Sequence, residues 1–342
     1  MGRRESSAAR HGNLRRDGGE VHEMNHQKTS TLILMCLVLG AQGCSPGGGH
    51  ETAPATEPTP TAGPALGDVR VRAGDDMDMV YVPAGEFRMG SDYEETAYAR
   101  WLCKQYFGKD ASAICQASSF GDESPAHLVT LKSFWIDRTE VTDGQYQKCE
   151  QAGACTPPAD VSPFFGSSHH GDPEYSEHPV TWITRDQASD YCLWAGARLP
   201  TEAQWEDAAR GPESRLFPWG DDFDGTRLNY CDANCVGGRN DPAVDDGYAE
   251  TAPVGSYPSG ASWVGVLDMA GNVREWVADW YGYYTADPQV DPTGPTTGET
   301  VVPHGGSWLD LPNLIRSANR GGDPPDYSRH NVGFRCSMDA AN

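Results

Sequence analysis

Much of what would mark a familiar catalyst is missing from this chain. Between residues 68 and 342 there is no G-x-x-x-x-G-K-[ST] phosphate loop, no H-E-x-x-H helix and no G-x-S-x-G nucleophile elbow. These absences set aside P-loop nucleotide hydrolysis, zincin-type proteolysis and α/β-hydrolase chemistry. No H-x-H and no close His/carboxylate trio marks an iron or copper centre there. Basic residues are also scarce, with 26 Lys and Arg against 49 Asp and Glu and a formal net charge of −23. So acidic a chain repels phosphate backbones, and no nucleic-acid partner is expected.

What is present is turn-formers and aromatics. The 342 residues include 39 glycines, 25 prolines and 10 tryptophans. That mixture predicts a turn-rich globular fold with an aromatic core rather than a helical bundle.

The first 44 residues read as a leader. "TLILMCLVLG", residues 31–40, is an apolar run too short to span a bilayer and of the length of a signal-peptide core, with Lys28 just ahead. Translation starts at Met1 or at Met24 on this reading. "AQGC" ends at Cys44, and small residues before a Cys resemble a bacterial lipoprotein signal, with Ala41 where that pattern usually has Leu. The expectation is export, with lipidation of Cys44 and a membrane anchor; simple secretion is the alternative. The leader holds six of the Lys and Arg and four of the Asp and Glu, so the remainder carries 20 against 45, a net of −25. Residues 45–67 are rich in Pro, Gly and Thr and read as a flexible tether. One domain, 68–342, comes after it without internal repeat.

Eight cysteines lie beyond the leader, an even number that reads as disulfides in an exported protein. Spacing suggests three local pairs, Cys103–Cys115, Cys149–Cys155 and Cys231–Cys235, which leaves Cys192 with Cys336. Zinc at Cys231 and Cys235 would need a second Cys/His pair nearby, and none stands at ligand spacing.

Alternation in "MVYVPAGEFRMG", residues 79–90, predicts strand, turn, strand, and "HLVTLKSFWIDRTEVT", residues 127–142, predicts one buried strand. Residues 91–120 read as an inserted loop carrying a short helix, "YARWLCKQYF". Thr184 with Gln187 and Thr201 with Gln204 form capping boxes that start two helices. Ala188, Tyr191, Cys192 and Ala195 share one face of the first, so Cys192 points inward, and Gly196 ends it. From 211 onward loops dominate.

Two segments invite a chemical reading. "HGGS", residues 304–307, could pair His304 with Ser307 as a nucleophile, but a turn with a satisfied hydroxyl is the simpler account. "DMAGNVREW", residues 268–276, sets Asp268 and Glu275 around a glycine-containing turn, which suits a hard cation such as Ca²⁺.

Taken in order, "MVYVPAGEFRMGS", "SFWIDRTEVTDGQY", "HPVTWITRDQASDYCLWAGARLPTEAQWEDAARG", "FPWGDD", "TAPVGSYPSGASWVGVLDMAGNVREWVADWY", "HGGSW" and "HNVGFRC" resemble the formylglycine-generating enzyme (sulfatase-modifying factor) family from about Asp76 to Met338. The resemblance implies an irregular α+β fold of low secondary-structure content, related to C-type lectins. It implies the Cys192–Cys336 disulfide. It also implies a structural Ca²⁺ on the Asp268 and Glu275 side chains with the Gly271 and Val273 carbonyls. A second Ca²⁺ would sit on Asn229, the Tyr230 carbonyl, Asp246 and the Tyr248 carbonyl. In the family's enzymes two cysteines five residues apart follow G-G-S-[WF], bind Cu(I) and oxidise a substrate cysteine with O₂; soft thiolates are what Cu(I) needs. Here those positions hold Asp310 and Ile315. Copper is therefore not expected, and the expected role is a calcium-stabilised, exported module that binds a protein or glycan. The alternative is an oxidoreductase on a cysteine-containing protein or sulfur compound, working through an unfamiliar site such as Asp310, His304 and His330.

Overall fold

The computed structural model describes residues 63–159, 169–236 and 239–340. The chain divides into two units, Met1–Pro60 and Thr61–Asn342, and all the described residues belong to the second. The leader, Cys44 and the tether up to residue 62 lie outside the described residues. Among the described residues no helix is long and apolar enough to cross a membrane.

Ten strands and five helices are set in long loops. They are β1 (Val69–Arg72), β2 (Met77–Val82), β3 (Gly85–Met89), α1 (Tyr93–Phe107), α2 (Ala111–Ile114), β4 (His127–Leu131), β5 (Phe134–Asp137), α3 (Asp143–Gln151), α4 (Arg185–Trp194), α5 (Glu202–Arg210), β6 (Arg274–Trp280), β7 (Gln289–Val290), β8 (Val301–His304), β9 (Val332–Phe334) and β10 (Ser337–Asp339). They form three small sheets, ordered β1-β2-β5-β10, β3-β4-β7 and β8-β6-β9. This is the irregular α+β architecture that the resemblance implies.

The middle strands of the first sheet, β2 and β5, are buried on both faces. In β2, Met77 and Met79 enter one core with Tyr146, Tyr191, Trp276 and Phe334. Val80 and Val82 enter a second core with Phe87, Trp205 and Val277. The pairings Val80↔Ile136 and Val82↔Phe134 carry the division into β5. Strand β6 divides the same way. Trp276 and Ala278 face the first core, and Val277 faces the second together with Glu275 and Asp279.

Segment 127–142, expected as one strand, is two strands in different sheets followed by a helix. β4 alternates buried and exposed residues, whereas all four residues of β5 are buried. The chain changes sheet at Lys132–Ser133, and Thr142 and Gln145 form the capping box of α3. The capping boxes expected at Thr184 and Thr201 start α4 and α5. A fourth, Asp92 with Glu95, starts α1.

All four disulfides form in the expected pairing, Cys103–Cys115, Cys149–Cys155, Cys192–Cys336 and Cys231–Cys235. Cys192–Cys336 joins α4 to the β9–β10 junction across 144 residues. In the chain-entropy account such a closure contributes about 5 kcal/mol.

The core also holds arginines, which composition did not suggest. Arg72 bridges Asp75 and Asp137, Arg210 bridges Glu95 and Glu206, Arg316 pairs with Glu123, Arg320 with Glu202, and Arg335 with Glu275. Each guanidinium is buried and lies against a carboxylate from a distant part of the chain. Losing one partner would strand a charge at about 3–5 kcal/mol, so these pairs fix loop positions more than they add stability.

Candidate functional site

The segment after β8 is built from two glycines in the left-handed region, Gly305 at φ +88° and Gly306 at φ +68°. A Cβ on Gly306 would fall 2.2 Å from Ile315 Cγ2, so no other residue fits beside that isoleucine. Ile315 is fully buried with Leu102, Phe217, Leu228 and Tyr230. Asp310 is 9 % exposed. Its carboxylate takes two hydrogen bonds from Arg274, Nε to Oδ2 at 2.9 Å and Nη2 to Oδ1 at 2.7 Å. It takes a third from Ser307 Oγ at 2.7 Å. Ser307 in turn accepts from Asn331 Nδ2 at 2.9 Å, so its hydroxyl is satisfied within the turn. The two positions therefore hold a clamped ion pair and an apolar plug. Neither carries an electron-rich group free to meet a substrate.

The three residues of the alternative redox site have separate surroundings. His304 Nε2 lies 3.1 Å from Glu202 Oε1, and the imidazole stacks on Trp205. Asp310 belongs to Arg274. The His330 ring lies against Trp182 and Trp308.

The turn at 268–275 is knitted into the same region. Gly271 has φ +81°, and a Cβ there would fall 2.1 Å from the Asn229 carbonyl oxygen. The Gly271 N–H donates to the Gly305 carbonyl, and the Trp308 N–H to that of Asn272. Asp268 has φ +58°, and its carboxylate accepts from the Gly255 N–H at 2.6 Å. Glu275 spends both oxygens on Arg335, at 2.6 and 2.7 Å, and takes a further bond from Trp205 Nε1 at 2.8 Å. Gly271 and Val273 lie in the turn between these two acids.

Glu140, which carried no signal in the sequence, completes this cluster. It is fully buried, and neither carboxyl oxygen receives a hydrogen bond from a donor among the described residues. The group it faces is the Asp268 carboxyl. Burial, then the Asp268 charge, pushes Glu140 well above the usual carboxylate range, and burial raises Asp268 too. Three acids thus share one arginine, Arg335. Among the described residues no three His, Cys, Asp or Glu side chains converge at metal-ligating spacing, so a cation here would draw on backbone carbonyls as well.

The second predicted cation set is also brought together. Asp246 accepts from the Tyr230 N–H at 3.1 Å and the Tyr248 N–H at 2.9 Å. Burial pushes its carboxyl up to about 6. Asn229, next along the chain, has its side-chain oxygen buried without a donor. A bare acceptor oxygen such as that of Asn229 is the chemistry a hard cation satisfies.

The residues missed in the sequence had only partial signals. Arg274 sits beside Glu275, and strand alternation sends it to the opposite face, toward Asp310. Glu140 lies inside the stretch 127–142 that reads as one strand, with nothing local to mark it.

These features define a class: a lectin-like, disulfide-closed α+β domain of low secondary-structure content, with a left-handed glycine turn at 305–306. The chain belongs to the family described as the sulfatase-modifying factor enzyme 1-like domain, which matches residues 68–340. It is 34 % identical to the formylglycine-generating enzyme of Streptomyces coelicolor, over 86 % of this chain and 95 % of that one. It is 30 % identical to the formylglycine-generating enzyme of Mus musculus, over 76 % of this chain and 75 % of the relative. Among solved structures, PvdO from Pseudomonas aeruginosa superposes with a TM-score of 0.64 at 28 % identity, covering 81 % of this chain and all of that one.

Proposed function

We propose that this member of the family does not generate formylglycine and serves as an exported, calcium-stabilised binding or scaffold module for a protein or glycan. One observation carries the reading. The positions that hold copper thiolates in the enzymes it resembles are occupied by Asp310, bound to Arg274 and Ser307, and by Ile315, packed under Gly306. Soft Cu(I) has no ligand there, and all eight cysteines of the domain are in disulfides.

Calcium would be held by Asp268 with the Gly271 and Val273 carbonyls, and by Asn229 and Asp246 with the Tyr230 and Tyr248 carbonyls. The Glu275 side chain, paired with Arg335, completes the first set, and Glu140 lies beside Asp268. The ion would neutralise buried carboxylates and lock loops together; it takes no part in a reaction. Cys44 would carry the lipid, and residues 45–67 would hold the domain off the membrane.

Elemental analysis of the domain, expressed through an oxidising compartment, tests the proposal. About one or two calcium ions per chain, without copper or iron, is the expected result. Stoichiometric copper or iron, or oxygen consumption with cysteine-containing peptides, would overturn it. Labelled fatty acid recovered on the full chain and absent from Cys44→Ser checks the anchor.

A further inference from the structure

A cavity of about 310 Å³ opens beside the first turn of α5, lined by Asp279, Trp280, Tyr283, Tyr284, Pro292 and Pro295 among others. Its size falls at the lower end for small-ligand sites. It shares no residue with the predicted cation sets or with positions 310 and 315.

The charges around it are nearly all accounted for. Glu202 accepts from Arg320 at 2.7 and 3.0 Å, from Tyr284 Oη at 3.0 Å, and lies against His304. Burial alone would raise this carboxyl, but the Arg320 charge and His304 outweigh it and hold Glu202 at about 2. Two further Arg320 N–H groups go to the Asp122 and Gly282 carbonyls, and its face covers Tyr281 and Tyr284. Four of the five Arg320 N–H groups are thus engaged, and both carboxyl oxygens of Glu202 neutralise its charge.

Asp279 is the exception. It is 3 % exposed. Oδ2 accepts from the Glu202 N–H at 2.9 Å, and no hydrogen bond among the described residues reaches Oδ1. The chain passes over that oxygen at Gly294, φ +67°, where a Cβ would come within 2.9 Å of it. Only glycine leaves the oxygen open to the cavity.

We infer that this cavity binds a primary ammonium group on an apolar stem, with Asp279 as its counter-ion and the Tyr283 ring at its mouth. A single free oxygen suits a compact ammonium rather than the two-pronged fork of a guanidinium. Aromatic faces add cation–π attraction. Tyr283, 85 % exposed at the mouth, has a ring that a ligand would cover. Burial, then the neighbouring Glu202, pushes the Asp279 carboxyl up to about 7, while Arg320 and Arg185 draw it down. His127 and Tyr284 also line the cavity. Ammonium binding should thus tighten as pH rises through 7.

Calorimetry on the whole domain tests this with 2-phenylethylamine, its neutral analogue 2-phenylethanol and the blocked peptide acetyl-Gly-Lys-Gly-amide. The amine should bind saturably with a Kd of about 1 mM or tighter, and the alcohol at least tenfold more weakly. Asp279→Asn should lose at least tenfold, and Tyr283→Ala about threefold. Binding of the peptide as well identifies a lysine side chain as the natural source, whereas amine binding alone identifies a small free amine; both support the site. Equal binding of alcohol and amine, no binding of any probe, or unchanged binding by a folded Asp279→Asn overturns it. If Asp279→Asn does not fold, the amine–alcohol difference and Tyr283→Ala decide. These readouts do not depend on calcium or copper, so failure here leaves the scaffold proposal standing.

Discussion

Two buried polar regions of this molecule sit close together and are built to opposite standards. In the 304–316 segment the Asp310 carboxylate and the Ser307 hydroxyl are each satisfied by neighbouring side chains, and Ile315 fills the space left. Beside it, Glu140 and Asp268 face each other with one arginine shared among three acids. The first region is packed until no polar group is left over, whereas the second keeps an electrostatic deficit that its own side chains do not balance.

The contrast can be broken first at Gly306. Gly306→Ala forces a Cβ into Ile315 at positive φ and should cost about 3–4 kcal/mol, read as a fall in the denaturation midpoint. Arg274→Ala strands the Asp310 carboxylate and should cost about 3 kcal/mol; Arg274→Ala/Asp310→Ala should recover part of that loss in a double-mutant cycle. On the other side of the comparison, calcium at a hundred times its Kd should stabilise the domain by about 2.7 kcal/mol, reversed by chelator. Glu140→Gln should raise the stability of the chelated protein by about 1 kcal/mol and remove much of the calcium response.

A further contrast is in pH. Burial holds Asp279 and Asp207 at about 7 in the folded protein. Both bind protons more tightly folded than unfolded, so their contribution to stability is present at low pH and is lost as pH rises from about 4 toward 7. Glu202, held at about 2, works the other way, and its contribution disappears only as pH falls from about 4.5 toward 2. Asp279→Asn should flatten the decline between pH 4 and 7 by about one proton in the slope of unfolding free energy against pH.

Local signals carried most of what could be read from the chain. Capping boxes at Thr184 and Thr201 work within four residues, and they appear where expected. The same box at Thr142 was hidden because the alternation before it made the stretch look like one strand. β5 lost its alternation for a physical reason: both of its faces are core. Cysteine spacing supplied the local pairs, and the resemblance supported the long one. The buried arginines were invisible because each has a partner distant in sequence, as with Arg316 and Glu123, 193 residues apart. Glu140 was hidden for the same reason, since its partner Asp268 arrives from the far side of the fold.

The Cys192–Cys336 bridge has a consequence for how the domain would respond to a protease. Most of its long loops fall between the two cysteines, so a protease that nicks one of them produces two fragments still joined by a covalent bond. Such a nicked molecule would run as one band without reductant and as two with it. Cleavage within that span need not separate the two halves.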